Sequence, residues 1–174
     1  LEDLQGLKIR VPSRNAGLVV EAWGATPVSM PAPEIYNAMQ TGVIDGAMID
    51  ATTLKAFKLA EVTKHITMGM DTTISEFFLI MNRDSFDGLS GDQQQIVLDA
   101  GREASVNANA AWLAVAEKSL ASFAGTEGKE VITLAPEEAE RFNAASAPVV
   151  QKVIADADAQ GLGASAFVEA LKAE

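Results

Sequence analysis

In the opening stretch GLKIRVP, Leu7, Ile9 and Val11 alternate with Lys8 and Arg10, the period of two expected of a strand with one buried face. Pro12 ends it, and Ser13 and Asn15 are candidate N-caps for a short helix through Leu18, Val19, Ala22 and Trp23 that Gly24 closes. ATPVSMP, 25–31, reads as a short strand ending at a proline. APEIYNAMQTG, 32–42, reads as a helix with Pro33 in its first turn, Ile35, Ala38 and Met39 on one face, and Gly42 at its end. VIDGAMI, 43–49, is a further apolar strand. TLKAFKLAEVTKHI, 53–66, is an amphipathic helix or a pair of helical turns, with Leu54, Phe57 and Val62 turned inward and His65 exposed near its end. Strand and helix alternate three times in this region, which predicts βαβ crossovers and a parallel sheet, hence an α/β fold.

The pattern changes after residue 66. ITMGM and EFFLIMN (76–82) predict two strands joined by the polar segment Asp71–Ser75, with one of Phe77 and Phe78 facing the core and its neighbour the opposite side. From Ser90 to about Ala124 a helical pattern runs without proline through Ile96, Val97, Ala104, Ala111, Trp112 and Val115, with Trp112 expected in the core, as is Trp23. At 1.5 Å per residue such a helix spans roughly 50 Å, whereas a globule of this size has a radius of gyration of only about 16 Å. The helix is therefore expected to overhang any single lobe the rest of the chain builds. KEVITL, 129–134, predicts a strand, and a helix starts at Pro136 that Pro148 is expected to kink or interrupt. A last helix occupies 164–173. The chain is read as an α/β core over 1–70, a middle segment over 71–128 with the strand 76–82 and the long helix, and a closing strand and helices over 129–174, with no repeat or linker marking a clean boundary between independent domains.

Charge and composition narrow the function. A formal net charge of −11 over 174 residues argues against nucleic-acid or anionic-membrane partners, which need basic surface. The chain has no Cys and one His, which excludes thiol chemistry, disulfides and Cys- or His-rich metal sites. No apolar run approaches the ~18 residues of a membrane helix. Neither a P-loop, a Gly-x-Ser-x-Gly elbow nor a GxGxxG fingerprint is present, so no cofactor is expected.

The residues left with candidate chemistry are few. Arg10 lies at the C-terminal end of a strand, where ligands of open α/β sheets collect, and a guanidinium holds a carboxylate through two parallel hydrogen bonds. From spacing alone, a solvent-facing arginine at a sheet edge fits equally well. Arg14, four residues on, is a rim candidate. Asp45 and Gly46 read as a turn in which Asp45 binds backbone amides. Asp50, Thr52 and Thr53 follow a strand end, where polar groups facing a pocket would fall, and Phe77 is a candidate ligand wall.

Taken together, LKIRVP, EAWGATPVSMPAPEIYNAMQTGVIDGAMI, FKLAEVTKHIT, FFLIMNRDSFDGLSGDQQQIV and the long helix after them closely resemble the extracytoplasmic solute receptors of tripartite ATP-independent periplasmic (TRAP) transporters, of DctP type. The resemblance covers essentially the whole chain. It implies a type II periplasmic-binding-protein-like fold of two lobes and about twice this length, so that the chain is expected to be the C-terminal portion with the first lobe largely missing. It also implies that Arg10 forms a salt bridge to the carboxylate of a small organic acid, that helix 90–124 runs beneath both lobes, and that the receptor works in the periplasm with TRAP membrane subunits, without enzymatic activity. Exposed apolar surface where the first lobe belongs is expected to drive self-association. The chain departs from the sialic-acid type of receptor, which carries an aromatic where Ala32 stands and an asparagine near Ile49. That leaves Asp50, Thr52 and Thr53 as candidates for the remaining polar contacts. Two other readings of the residues stay open: an α/β enzyme with Arg10 as anchor and Asp45 or Asp50 as base, and a single-lobe ligand-sensing domain.

Overall fold

Three parallel strands form the centre of the computed structural model, which describes residues 1–72 and 77–173. A 3-10 turn, Glu2–Leu4, leads into β1 (Lys8–Val11). α1 (Arg14–Ala22) follows, then β2 (Thr26–Ser29), a second 3-10 turn at Ala32–Glu34, α2 (Ile35–Gln40) and the two-residue β3 (Gly46–Ala47). The sheet order is β2-β1-β3, with Arg10 opposite Val28 on one side and Ala47 on the other.

Local chemistry sets the helix ends. Ser13 Oγ accepts from Ala16 N at 3.2 Å, so Ser13 caps α1 and Asn15 lies within the helix. Gly24 (φ +90°) and Gly42 (φ +72°) take the left-handed conformation that ends α1 and α2. At each, the glycine and the residue after it donate back into the helix in a Schellman pattern: Gly24 N to Glu21 O and Ala25 N to Val20 O, then Gly42 N to Met39 O and Val43 N to Ala38 O.

The two faces of the sheet bury different partners. Val11 packs with Val19, Val20 and Trp23 of α1 and with Phe142. The opposite face packs Val28 and Ala47 against Ile35, Ala38, Ile44, Leu54 and Leu59. Complete burial of an aliphatic side chain contributes about 1.5–3 kcal/mol, and Ile35, Ile44 and Leu59 are all essentially buried.

The helical region after residue 52 is a pair of turns, α3 (Thr53–Ala56) and α4 (Leu59–Val62), broken where Lys58 adopts φ 56°. His65 does not end a helix: it opens β4 (His65–Met68). β4 pairs in parallel with β5 (Glu130–Thr133), so the chain returns to this part of the fold after a long excursion. Lys129 fastens that return: its ammonium donates to the carbonyls of Ala60 and Thr63 and sits 5.2 Å from the Phe123 ring centroid.

The excursion contains α5 (Arg83–Asp87) and α6 (Gly91–Ala124), 34 residues long. A capping box at Ser90 and Gln93 starts α6. Its one buried residue, Phe123, lies in the last turn, so the expected overhang is present. Three expectations fail here. Residues 77–82 form no strand, because none of the described strands pairs with them, and both Phe77 and Phe78 are exposed. The rest of that expected strand, Glu76, and part of the connecting segment, 73–75, lie outside the described residues. Trp112 is 42% exposed, not core, since the face of α6 that carries it meets no folded element.

α7 (Pro136–Ala159) runs through Pro148 without interruption. Its packing on α1 holds it: Trp23 Nε1 donates to Phe142 O at 3.0 Å, and the two rings meet edge-on at 5.2 Å. α8 (Ala164–Lys172) closes the chain. Among the described residues no helix is long and apolar enough to cross a membrane.

Candidate ligand-binding site

β1, β2 and β3 run in one direction, so their carboxyl ends share one edge, the edge where open parallel sheets place ligands. Arg10 is at that edge and is buried, with 6% of its surface exposed. Its Nε donates to Met30 O at 3.0 Å and its Nη1 to Met48 O at 3.2 Å. These carbonyls follow the ends of β2 and β3, so the two neighbouring strands hold the guanidinium from both sides. The alternative of a solvent-facing arginine is thereby excluded.

No carboxylate among the described residues pairs with Arg10. Desolvation pushes its pKa below the ordinary arginine value. The side chain nevertheless stays charged, as arginine does in proteins. A buried cation that among the described residues meets only two carbonyl dipoles is a site short of one negative charge.

The other candidates are placed differently. Asp50 Oδ1 accepts from Thr52 N at 3.0 Å and from Thr52 Oγ1, and Thr53 Oγ1 donates to Asp50 O at 2.6 Å. Both threonine hydroxyl protons are thus engaged within the turn that starts α3. Arg14, at the first position of α1, makes no described hydrogen bond or ion pair. It borders a concavity of about 420 Å³ with Val11, Gly17, Pro27 and Ser29, and this lies against the α1 face of the sheet, away from Arg10. Phe77 stacks on Trp112 with ring centroids 4.8 Å apart and is 73% exposed, so it belongs with α6. Asp45 Oδ2 accepts from Lys8 N at 2.8 Å while Asp45 N donates to Lys8 O at 2.8 Å, the turn role expected of it.

The carbonyls of Met30 and Met48 are the functional groups that sequence reasoning missed. Backbone oxygens carry no residue-type signal. Only the parallel register, which sets residues 10, 28 and 47 side by side, brings them to the guanidinium.

Residues 1–156 match the family model of the bacterial extracellular solute-binding proteins, family 7, known as DctP. The chain belongs to this family. It is 31% identical to the ectoine/5-hydroxyectoine-binding periplasmic protein UehA of Ruegeria pomeroyi, over 99% of its own length and 50% of that protein's. To the C4-dicarboxylate-binding periplasmic protein DctP of Rhodobacter capsulatus it is 30% identical, over 99% of its length and 51% of the relative's. The crystal structure of a TRAP periplasmic solute-binding protein from Bordetella bronchiseptica, with bound (R)- and (S)-mandelate, superposes with a TM-score of 0.83 at 30% identity, covering 99% of this chain and 55% of that one. The chain thus spans about half the length of these DctP-family relatives, and the α/β fold with parallel strands is theirs.

Proposed function

We propose that this chain is the Arg10-bearing lobe of a TRAP solute receptor that binds a small organic acid in a cleft, with the acid's carboxylate on the Arg10 guanidinium. The carrying observation is the burial of Arg10 without a counter-charge among the described residues. Two of its N–H groups are taken by Met30 and Met48, which fixes the planar fork and leaves its free edge to an anion. A carboxylate arriving there is stabilised by a charge already stripped of water, so the attraction is stronger than at an exposed arginine. Relatives named for C4-dicarboxylates, and a solved neighbour holding mandelate, fit this reading, since both ligands are carboxylates.

A second lobe, from sequence beyond these residues, closes over the acid in this proposal. It also covers α6 and the apolar stretch 77–82. Closure is a shift of population toward a ligand-stabilised state, with no bond made or broken. The closed receptor then delivers the acid to TRAP membrane subunits, and the relatives' names support a periplasmic site of action. Family members are receptors, and the candidate bases of an enzyme, Asp45 and Asp50, are both held by backbone N–H groups.

Titration calorimetry of the full-length gene product against an organic-acid library tests the proposal. An acid that binds the native receptor and loses affinity by ~2–5 kcal/mol in Arg10→Ala supports it. Unchanged affinity in that variant overturns it.

A further inference from the structure

At the carboxyl ends of the strands, the face of the sheet that carries Arg10 is otherwise lined by apolar residues. Register places Val28 and Ala47 beside Arg10 on that face. Beyond the strand ends, Met30, Ala32, Ile49 and Ala51 pack on the same hydrophobic cluster as Val28 and Ala47, and each is only partly buried. A molecule gripped by Arg10 and lying along this edge therefore meets methionine, alanine and isoleucine side chains.

Polar groups that a ligand body would need are turned elsewhere. Ser29 is opposite Val11, on the face that packs against α1. Ser13 caps that helix, and the hydroxyl protons of Thr52 and Thr53 are engaged by Asp50. Neither of the nearest cations stands at this edge of the Arg10 face: Lys8 shares the face but lies two residues back along β1, opposite Thr26, and Arg14 borders the concavity on the other side with Val11 and Ser29.

We infer that, given the carboxylate role of Arg10 proposed above, the ligand is a monocarboxylate with an apolar body, an aromatic ring or branched alkyl group, and not a sugar acid or a dicarboxylate. The reasoning is one of unmet hydrogen bonds. A sugar acid laid on this surface buries hydroxyl oxygens for which Thr52 and Thr53, their hydroxyl protons held by Asp50, offer no donor among the described residues, and each hydrogen bond so lost weakens binding roughly five- to a hundredfold. Groups from elsewhere in the protein reach only the side of the ligand that faces away from this sheet. A second carboxylate finds no second arginine at this edge among the described residues, Arg14 being on the other side of the sheet, whereas a ring or isobutyl group removes apolar surface from water on both sides.

Calorimetry on the full-length gene product with phenylacetate, 3-methylbutanoate, D-glucuronate and succinate, each repeated on Arg10→Ala, tests the inference. It expects phenylacetate or 3-methylbutanoate to bind at least roughly tenfold more tightly than the two polar acids, through Arg10, and the near-isosteric Met30→Gln to weaken that acid several-fold. Tighter, Arg10-dependent binding of glucuronate or succinate overturns the inference and leaves the carboxylate-receptor reading standing. Acids that bind equally to the native receptor and to Arg10→Ala, or no binding of any of the four, overturn both.

Discussion

Arg10 and Met48 are joined twice. The Arg10 guanidinium donates to the Met48 carbonyl at 3.2 Å, and the Met48 N–H donates back to the Arg10 carbonyl at 2.8 Å. The side chain proposed to hold the ligand is thus fastened to the same residue that continues its backbone ladder, which orients the guanidinium before any acid arrives.

This arrangement separates binding from stability. Replacing Arg10 by methionine removes two hydrogen bonds from a charged donor, worth about 1.5–3 kcal/mol each. It also removes the desolvation penalty of an unpaired buried ion, several kcal/mol of opposite sign. The two nearly cancel. Arg10→Met is expected to shift stability by no more than about 2 kcal/mol, or roughly 4–8 °C in Tm for a domain of this size, while abolishing measurable acid binding. Arg10→Lys keeps the charge but not the fork, and is expected to recover stability more than affinity. Differential scanning fluorimetry beside calorimetry reads both quantities, and a variant that loses binding only because it unfolds contradicts the argument.

Asp50 gives the opposite separation. Its carboxylate accepts from Thr52 N and Thr52 Oγ1 in an Asx turn just ahead of α3, a structural role. Asp50→Ala is expected to cost ~1 kcal/mol of stability and to change acid affinity less than about threefold, below the tenfold that 1.4 kcal/mol represents. Chemical denaturation and ligand titration on the same variant check the pair. A large loss of affinity at unchanged stability would instead place Asp50 in contact with the ligand.

α6 and the residues before it expose a continuous supply of apolar side chains: Leu79 is 97% exposed, Ile96 66%, Val106 73% and Leu113 57%. Such surface is far more than a solvated helix needs. Residues 1–174 produced alone are therefore expected to associate with rising concentration in sedimentation velocity and to bind a hydrophobic dye. Supplying the proposed first lobe, by expressing the full-length protein, is expected to suppress both. A dye-negative monomer from residues 1–174 refutes this.

How far the sequence was readable follows the range of the forces involved. Caps and glycine stops are local, so Ser13, Gly24, Gly42 and Ser90 mark helix ends that the structure keeps. The parallel sheet followed from alternating strand and helix patterns. The lost strand at 77–82 and the exposed Trp112 share a different cause: both are apolar segments that stay exposed although Phe77 and Trp112 meet each other, and periodicity states that a face is apolar without stating what covers it. At the site, Arg10 was legible from its type and its place on a strand. The carbonyls that seat it, and the engagement of Thr52 and Thr53 by Asp50, were not, because they depend on register and turn geometry.

The end of the chain carries a pH response. Gly163, before α8, has no side chain with which to cap the helix, and Asp158 takes that part: its carboxylate accepts from Ser165 Oγ and, at 3.1 Å, from Ser165 N. The Ser165 hydroxyl, followed by the Ser165 backbone N–H, lowers the Asp158 pKa below its ordinary 3.8. A carboxyl whose folded pKa is depressed contributes stability that is fully present above the unfolded value and fades as pH falls through the folded one. Attachment of α8 is thus expected to be constant from neutral pH down to about pH 5 and to weaken only in stronger acid. Ser165→Ala removes the largest cause of the shift and is expected to move that loss to higher pH. Asp158→Ala, which leaves no side-chain acceptor and nothing to titrate, is expected to fray α8 equally at pH 7 and pH 5. Amide hydrogen exchange across 164–172 measures all three, and protection that is unchanged by Asp158→Ala at neutral pH would show that packing alone holds the helix.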